Sequence, residues 1–288
     1  MENLQNLQIK TRSSVYKLLA HRPVLVYLSA AVLLCALVWL IFGSILAPHA
    51  LDQDITLTTL SPGDDGHILG TDGLGRDVWQ LLIAGTRSAL IGPVLIALGS
   101  LILGLIFGFI SGYFGGPLDW IISRYTDLTL AMPSLLLAIV AAGVIGGGYY
   151  VSVLVMIILY SPFDIRLIRS AVRAEVTKPY IESVKVMKIA SLTIMARHIL
   201  PNVVVIALVN FFLNIAYGLV SMSALSYLGL GVSPAHADWG RQLADGKNIM
   251  YENAASIIAP AIAIILVSTA INALGGYIAD RFGIDTES

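Results

Sequence analysis

The sequence predicts an all-α, polytopic membrane protein with six membrane-crossing helices and a basic insert between the fourth and the fifth. Three observations carry that expectation. The 288-residue chain is 57% hydrophobic and only 12% charged, with a mean hydropathy of +0.83, more apolar than a water-soluble domain of this length. Six apolar runs reach the roughly 20 residues that a helix needs to cross the hydrocarbon core. The charges are segregated between those runs, so the net charge of −1 says little while the placement of Lys and Arg says much. Nothing in the composition supports nucleic-acid binding.

The runs cover 24–46, 88–112, 119–143, 149–168, 202–226 and 254–277, with tails over 1–23 and 278–288. The first is too long for the core of a signal peptide and no small-residue cleavage site follows it, so it is expected to be a retained signal anchor. It holds the single cysteine, Cys35, which excludes an internal disulfide framework and a cysteine metal site. The second carries Gly104, Gly108 and Gly112 at every fourth residue, a small-residue stripe that permits close helix approach. Arg124 and Asp127 lie one turn apart near the start of the third, placed to pair with each other or to meet substrate. Asn210, Asn214 and Ser221 follow helical spacing on the fifth, where they either line a path or hold neighbouring helices.

With a cytoplasmic N-terminus, 13 of the 17 Lys and Arg fall inside, and only Arg76, Arg87, Arg241 and Lys247 fall outside. That imbalance predicts cytoplasmic termini. The two long external segments are then 47–87 and 227–253. In the first, Pro62-Gly63-Asp64-Asp65-Gly66 reads as irregular backbone, followed by Gly70-Thr71-Asp72-Gly73-Leu74-Gly75-Arg76-Asp77. Val78, Trp79, Leu81, Leu82 and Ile83 then predict a short interfacial helix capped by Asp77. The glycines lack the Lys-Ser/Thr ending of a phosphate-binding loop. In the second segment, His236 and Asp238 are too few for a metal site, and a solvated loop is expected.

The insert spans 166–202 and holds Arg166, Arg169, Arg173, Lys178, Lys185, Lys188 and Arg197. Tyr180, Ile181, Val184 and Met187 recur at three and four residues, while Glu182, Lys185 and Lys188 point elsewhere. Pro179 suits a first helical position. A break near 189–191 and a second helix from Leu192 to Leu200, ended by Pro201, complete a short helical hairpin. Such a knob fits a groove in another protein, and the competing reading is an ordinary basic loop.

The stretch from Tyr180-Ile181-Glu182-Ser183-Val184 to His198-Ile199-Leu200-Pro201-Asn202 resembles the EAA signature of ABC importer permeases. Leu69-Gly70-Thr71-Asp72-Gly73-Leu74-Gly75-Arg76-Asp77, Ala131-Met132-Pro133-Ser134-Leu135-Leu136-Leu137, and Tyr227-Leu228-Gly229-Leu230-Gly231 with Trp239-Gly240 are similar to segments of the dipeptide, oligopeptide and nickel permease group, in its C-type subunit. The likeness runs from about 67 to 276. Ser183 and Val184 stand where the signature has alanine, and Lys188 where it has glycine. Lysine adopts a positive φ less cheaply than glycine, so the turn is expected to be looser, shifted toward Ala190, or rebuilt.

The resemblance implies a type I ABC importer permease of the bacterial inner membrane, with a permease core over 88–277 and a coupling loop over 169–201. Its implied partners are a second, similar permease subunit, two cytoplasmic ATPase subunits and an extracytoplasmic solute-binding protein. The chain would itself be non-catalytic and hold no cofactor or metal, ATP and Mg²⁺ residing in the ATPases. On this reading Tyr180, Ile181, Glu182, Val184, Lys185, Met187 and Lys188 meet the ATPase. Asp72, Arg76, Asp77, Trp239 and Arg241 lie at the external mouth, where a binding protein lands, the loop folds back as a gate, or the groups make internal structural contacts. Peptides are the first substrate class implied, with nickel chelates, glutathione and opines as alternatives. An ion-driven secondary transporter would call for paired membrane acids or inverted repeats with broken helices, and a membrane hydrolase for His-Glu-x-x-His or Gly-x-Ser-x-Gly. Neither pattern is read in the sequence.

Overall fold

The computed structural model describes residues 23–233 and 235–281. Lys10, Arg12, Lys17, Arg22 and the tail beyond Arg281 lie outside the described residues. Among the described residues ten α-helices follow in order: α1 Pro23–Leu46, α2 Val78–Phe114, α3 Gly116–Leu130, α4 Ser134–Ile145, α5 Tyr149–Val176, α6 Pro179–Val186, α7 Ser191–Ile194, α8 Leu200–Tyr227, α9 Trp239–Gly246 and α10 Ala255–Arg281. Short 3₁₀ turns join some of them, and among the described residues the β-structure is one isolated bridge between Thr71 and Asp77. The protein is all-α.

Five stretches are long and apolar enough to cross a membrane: Val24–Leu46, Val78–Phe114, Tyr149–Val176, Ser191–Tyr227 and Ala255–Arg281. The sixth expected span is not one helix. Residues 119–143 are divided between α3 and α4, which meet at 92°. Pro133 explains the break, since it has no N–H to donate and disfavours helical backbone at Met132.

Two further expectations are corrected. The separate interfacial helix after Asp77 does not exist, because Asp77 caps a helix of 37 residues that already contains the second span. Its carboxylate accepts the Gln80 N–H at 2.8 Å, and no proline interrupts 78–92. Val78, Leu81, Leu82 and Ile83 are accordingly buried. Nor does Pro201 end a helix. It occupies the first turn of α8, where an N–H has no intrahelical acceptor to lose. The chain passes from α7 through a π-turn over Met195–Ile199 into α8. The expected hairpin is thus α6 followed directly by the start of a long spanning path.

The glycine stripe has the expected use. A Cβ at Gly104 would stand 2.5 Å from the Asp164 Cβ, and one at Gly112 would stand 2.8 Å from the Val172 Cβ. α2 and α5 therefore touch backbone to side chain, a closeness that any larger residue would prevent. Around this pair lie three main apolar clusters. One joins α1, α2, α8 and α10 beneath Trp239. A second gathers Phe109, Ile168, Val172, Ile181, Ile194 and Ile199 at the α6 end. The third, with Ile96, Ala138, Met156, Met222 and Leu225, lies toward the other end of the bundle.

Candidate functional site

An eight-residue helix is unstable alone, so α6 must be held by its surroundings. Ile181 is 0% exposed in the second cluster, a burial that stabilises by about 1.5–3 kcal/mol. The Tyr180 hydroxyl donates to the Glu175 carboxylate. Asn202 Nδ2 donates to the same Glu175 oxygen at 3.0 Å and to the His198 carbonyl at 3.0 Å, and Lys178 Nζ lies 2.6 Å from Glu175 Oε2. One carboxylate thereby joins α5, α6 and the start of α8. Burial, then the adjacent carboxylate, push the Tyr180 phenol above its ordinary pKa. Ile181, expected to face a partner, is committed to the chain's own core, and the Tyr180 hydroxyl is bonded within the chain although the residue stays exposed. That corrects the expected site.

The turn after α6 falls at Met187–Lys188, where the EAA signature places it, and not near the expected break at 189–191. Lys188 has φ 54°, in the left-handed region, at the position where the EAA signature has glycine. Its N–H bonds the Lys185 carbonyl at 3.0 Å. The turn is neither loosened nor moved to Ala190; lysine adopts the glycine conformation and carries about 1–2 kcal/mol of strain. Glu182, Lys185 and Lys188 are exposed and Val184 is half-buried, with Lys185 Nζ 5.6 Å above the Tyr113 ring. The tip is apolar: Val186 is 81% exposed, Met187 72% and Leu192 80%. Val186 and Leu192 escaped the periodicity argument because they lie off the stripe that Ile181 uses. An apolar residue left over after the inward stripe is assigned would have been the signal.

Three arginines of the insert pair with carboxylates of α3, Arg166 and Arg173 while still exposed. Arg169 and Arg173 each reach Asp119 at 2.5 Å, and Arg166 reaches Asp127 at 2.6 Å. The expected Arg124–Asp127 pair is present at a looser 3.8 Å. The basic face is accordingly narrower than the sequence suggests.

Asn210 and Asn214 are buried and turn toward Asp164 of α5. Asn210 Nδ2 donates to Asp164 Oδ1, and Asn214 Nδ2 donates to Oδ2 at 2.9 Å. Ser221 pairs with the Tyr160 hydroxyl at 2.8 Å. Within this chain all three bond from α8 to α5, the asparagines buried and Ser221 half-buried. Asp164 itself was missed, although a lone acid in a spanning run is a signal by cost alone.

At the opposite end, Gly70 and Gly75 have φ of 69° and 73°. A Cβ would collide with the Leu60 carbonyl oxygen at Gly70 and the Asp54 carbonyl oxygen at Gly75, so both positions require glycine. Asp72 Oδ1 accepts the N–H of Leu74 and of Arg76, each at 2.9 Å. The Arg76 guanidinium lies 2.6 Å from Asp72 Oδ2 and 3.5 Å from Asp245 Oδ2. Arg241, half-buried, stands 3.1 Å from Asp245. Asp77 pairs with His67 at 2.6 Å, and the Trp239 indole, 1% exposed, donates to the Leu82 carbonyl at 2.8 Å. Asp72, Arg76 and Trp239 are buried and Asp77 is half-buried, so these groups build the outer framework, which favours an internal structural role over a landing surface. The most exposed apolar residues there are Ile55, Ile68 and Tyr251, which sequence reasoning passed over as loop.

The expected solvated loop of the second segment folds inward at 238–240, while His236 stays exposed. Asp238 is buried, caps α9 by accepting the Arg241 N–H at 3.0 Å, and has its carboxyl pushed up by that burial. Among the described residues no group of three His, Cys, Asp or Glu could hold a metal ion.

Comparison with known proteins agrees with this architecture. Residues 104–284 match the family described as binding-protein-dependent transport system inner membrane component. The chain is 33% identical over 236 residues to the glutathione transport system permease protein GsiD of Pectobacterium atrosepticum, covering 82% of this chain and 78% of that one. It is 32% identical over 247 residues to the dipeptide transport system permease protein DppC of Haemophilus influenzae, covering 82% and 84%. Among solved structures, the inward-facing MetNI methionine ABC transporter superposes with a TM-score of 0.57 at 17% identity, over 70% of this chain and 96% of that one. That likeness shows the type I permease fold. The family match over the helical core, with relatives above 30% identity across four-fifths of the chain, places this protein among the binding-protein-dependent transport system inner membrane components, the permease subunits of ABC importers.

Proposed function

We propose that the chain forms half of the translocation path of an ATP-driven importer of short peptides, glutathione included, and that the tip of α6 is where an ATPase subunit docks. The observation that carries this reading is the cluster of Val186, Met187 and Leu192, exposed beyond the spanning helices and flanked by Lys185 and Lys188. Apolar side chains grouped at a polar surface mark a protein contact. In this reading α6 and both termini are cytoplasmic, ATP and Mg²⁺ belong to two partner ATPases, and the chain hydrolyses nothing. A second permease subunit completes the path, and an extracytoplasmic binding protein delivers the peptide.

The mechanism follows from how α6 is held. Because Glu175 ties α6 to α5 and to Asn202 at the start of α8, a push on the tip is delivered to two spanning helices together. ATPase closure and opening then shifts the permease between its two states. The peptide class rests on the relatives named for dipeptide and glutathione transport. The test uses the assembled transporter in proteoliposomes. Met187→Asp with Val186→Asp is expected to abolish copurification of the ATPases and ATP-driven dipeptide uptake while the chain stays in the membrane. Normal copurification with this pair would overturn the docking site. Uptake that survives without ATPases but collapses with an uncoupler would overturn the ATP-driven reading.

A further inference from the structure

The bundle contains a carboxylate that none of these roles uses. Asp164 is 1% exposed, inside α5. Its oxygens accept the side-chain amides of Asn210 and Asn214 from α8, and the Asn214 amide also lies 3.4 Å from Ser100 Oγ of α2. α2 approaches it at Gly104. All these groups are uncharged. The arginines that follow on α5, Arg166 and Arg169, are engaged by Asp127 and Asp119.

A carboxylate held in a membrane bundle by neutral donors alone depends on every one of them, because stripping a donor leaves a buried charge less solvated. α8 therefore cannot rotate or slide along α5 without breaking bonds to Asp164. A second tie, Tyr160 to Ser221 at 2.8 Å, lies further along the same seam. At the α6 end the same two helices are joined through Glu175 and Asn202. Motion fed in at α6 thus meets its firmest polar resistance at Asp164.

We infer that Asp164 is a positioning residue for transport: it locks α8 onto α5 and α2 in this conformation, and the transport cycle opens and remakes that lock. The inference rests on the chain working within an ATP-driven importer, but not on which residues the ATPase touches.

The test compares Asp164→Leu, Asp164→Asn, and Asp164→Asn combined with Asn214→Asp, which rebuilds an acid–amide pair between the same two positions. Each is measured in the assembled transporter for complex yield, ATP hydrolysis and dipeptide uptake. Asp164→Leu is expected to assemble and hydrolyse ATP, with uptake per ATP lowered about tenfold, a typical coupling loss. The exchanged pair is expected to recover most of that ratio. If Asp164→Leu does not assemble, Asp164→Asn, which keeps the shape, carries the same readout. Uptake and hydrolysis falling in parallel, an unchanged ratio, or an exchanged pair no better than Asp164→Asn would each overturn the inference. A failure of the α6 docking site appears instead as lost ATPase copurification with the Met187 and Val186 substitutions.

Discussion

Lys188→Gly is expected to stabilise the turn that carries α6. Lys188 is exposed and has φ 54°, so its side chain contributes strain and little packing. A left-handed conformation costs an L-residue about 1–2 kcal/mol. Glycine removes that cost but loses about 0.5–1 kcal/mol more conformational entropy on ordering. The net gain is then about 0.5–1 kcal/mol, and 1 kcal/mol is roughly a fivefold change in the opening equilibrium of the segment. Lys188→Val should act the other way, because β-branching makes the left-handed region still less accessible. The assay is hydrogen exchange at the amides of 185–188, where Met187 N–H bonds the Ser183 carbonyl at 3.4 Å and Lys188 N–H bonds the Lys185 carbonyl at 3.0 Å. Exchange slowed up to about fivefold in the glycine variant and accelerated in the valine variant is expected. Faster exchange with glycine, or identical rates in both variants, would refute the view that lysine is held here against its backbone preference.

Gly104→Val should lower the thermal midpoint in detergent, since even its Cβ would meet Asp164 at 2.5 Å and such overpacking costs about 1–3 kcal/mol; an unchanged midpoint would mean that α2 and α5 can part freely. Arg76→Ala should destabilise the outer loops by about 3–5 kcal/mol, because it leaves Asp72 buried without its cation, and proteolysis within 54–76 reports it. The raised pKa of Asp238 makes folding proton-linked. The folded state holds that proton more tightly, so its contribution is greatest at low pH and is lost as pH rises from the ordinary carboxyl value of 3.8 through the higher folded value. Asp238→Asn should remove that slope from pH-dependent melting of the purified protein, and a slope identical to the parent's would exclude Asp238 as its source.

The helices were legible because their causes are local. Long apolar runs marked five spanning stretches, Asp77 and Pro179 marked two helix starts, and the stripe of Gly104, Gly108 and Gly112 marked the close contact of α2 with α5. The failures came where a local signal had two meanings. Pro201 ends a helix or opens one, and only the path of the chain through the π-turn selects the second. Pro133 breaks a span that hydropathy alone reads as continuous.

Side-chain direction was less legible still. Ile181 and Met187 fit the same apolar stripe, yet one is in the core and the other stands in solvent, because an eight-residue helix turns whichever apolar face its neighbours can cover. Arg76, Asp72 and Trp239 read as surface groups in a loop, but the loop folds onto α9 and buries them. Composition, the five long apolar spans and the family are properties of residue type and spacing, and the sequence determined them by itself. Only the tertiary structure decided that Asn210 and Asn214 face Asp164 and that Val186 and Leu192 form the tip. Which groups meet across helices distant in sequence depends on packing, and no local pattern encodes that.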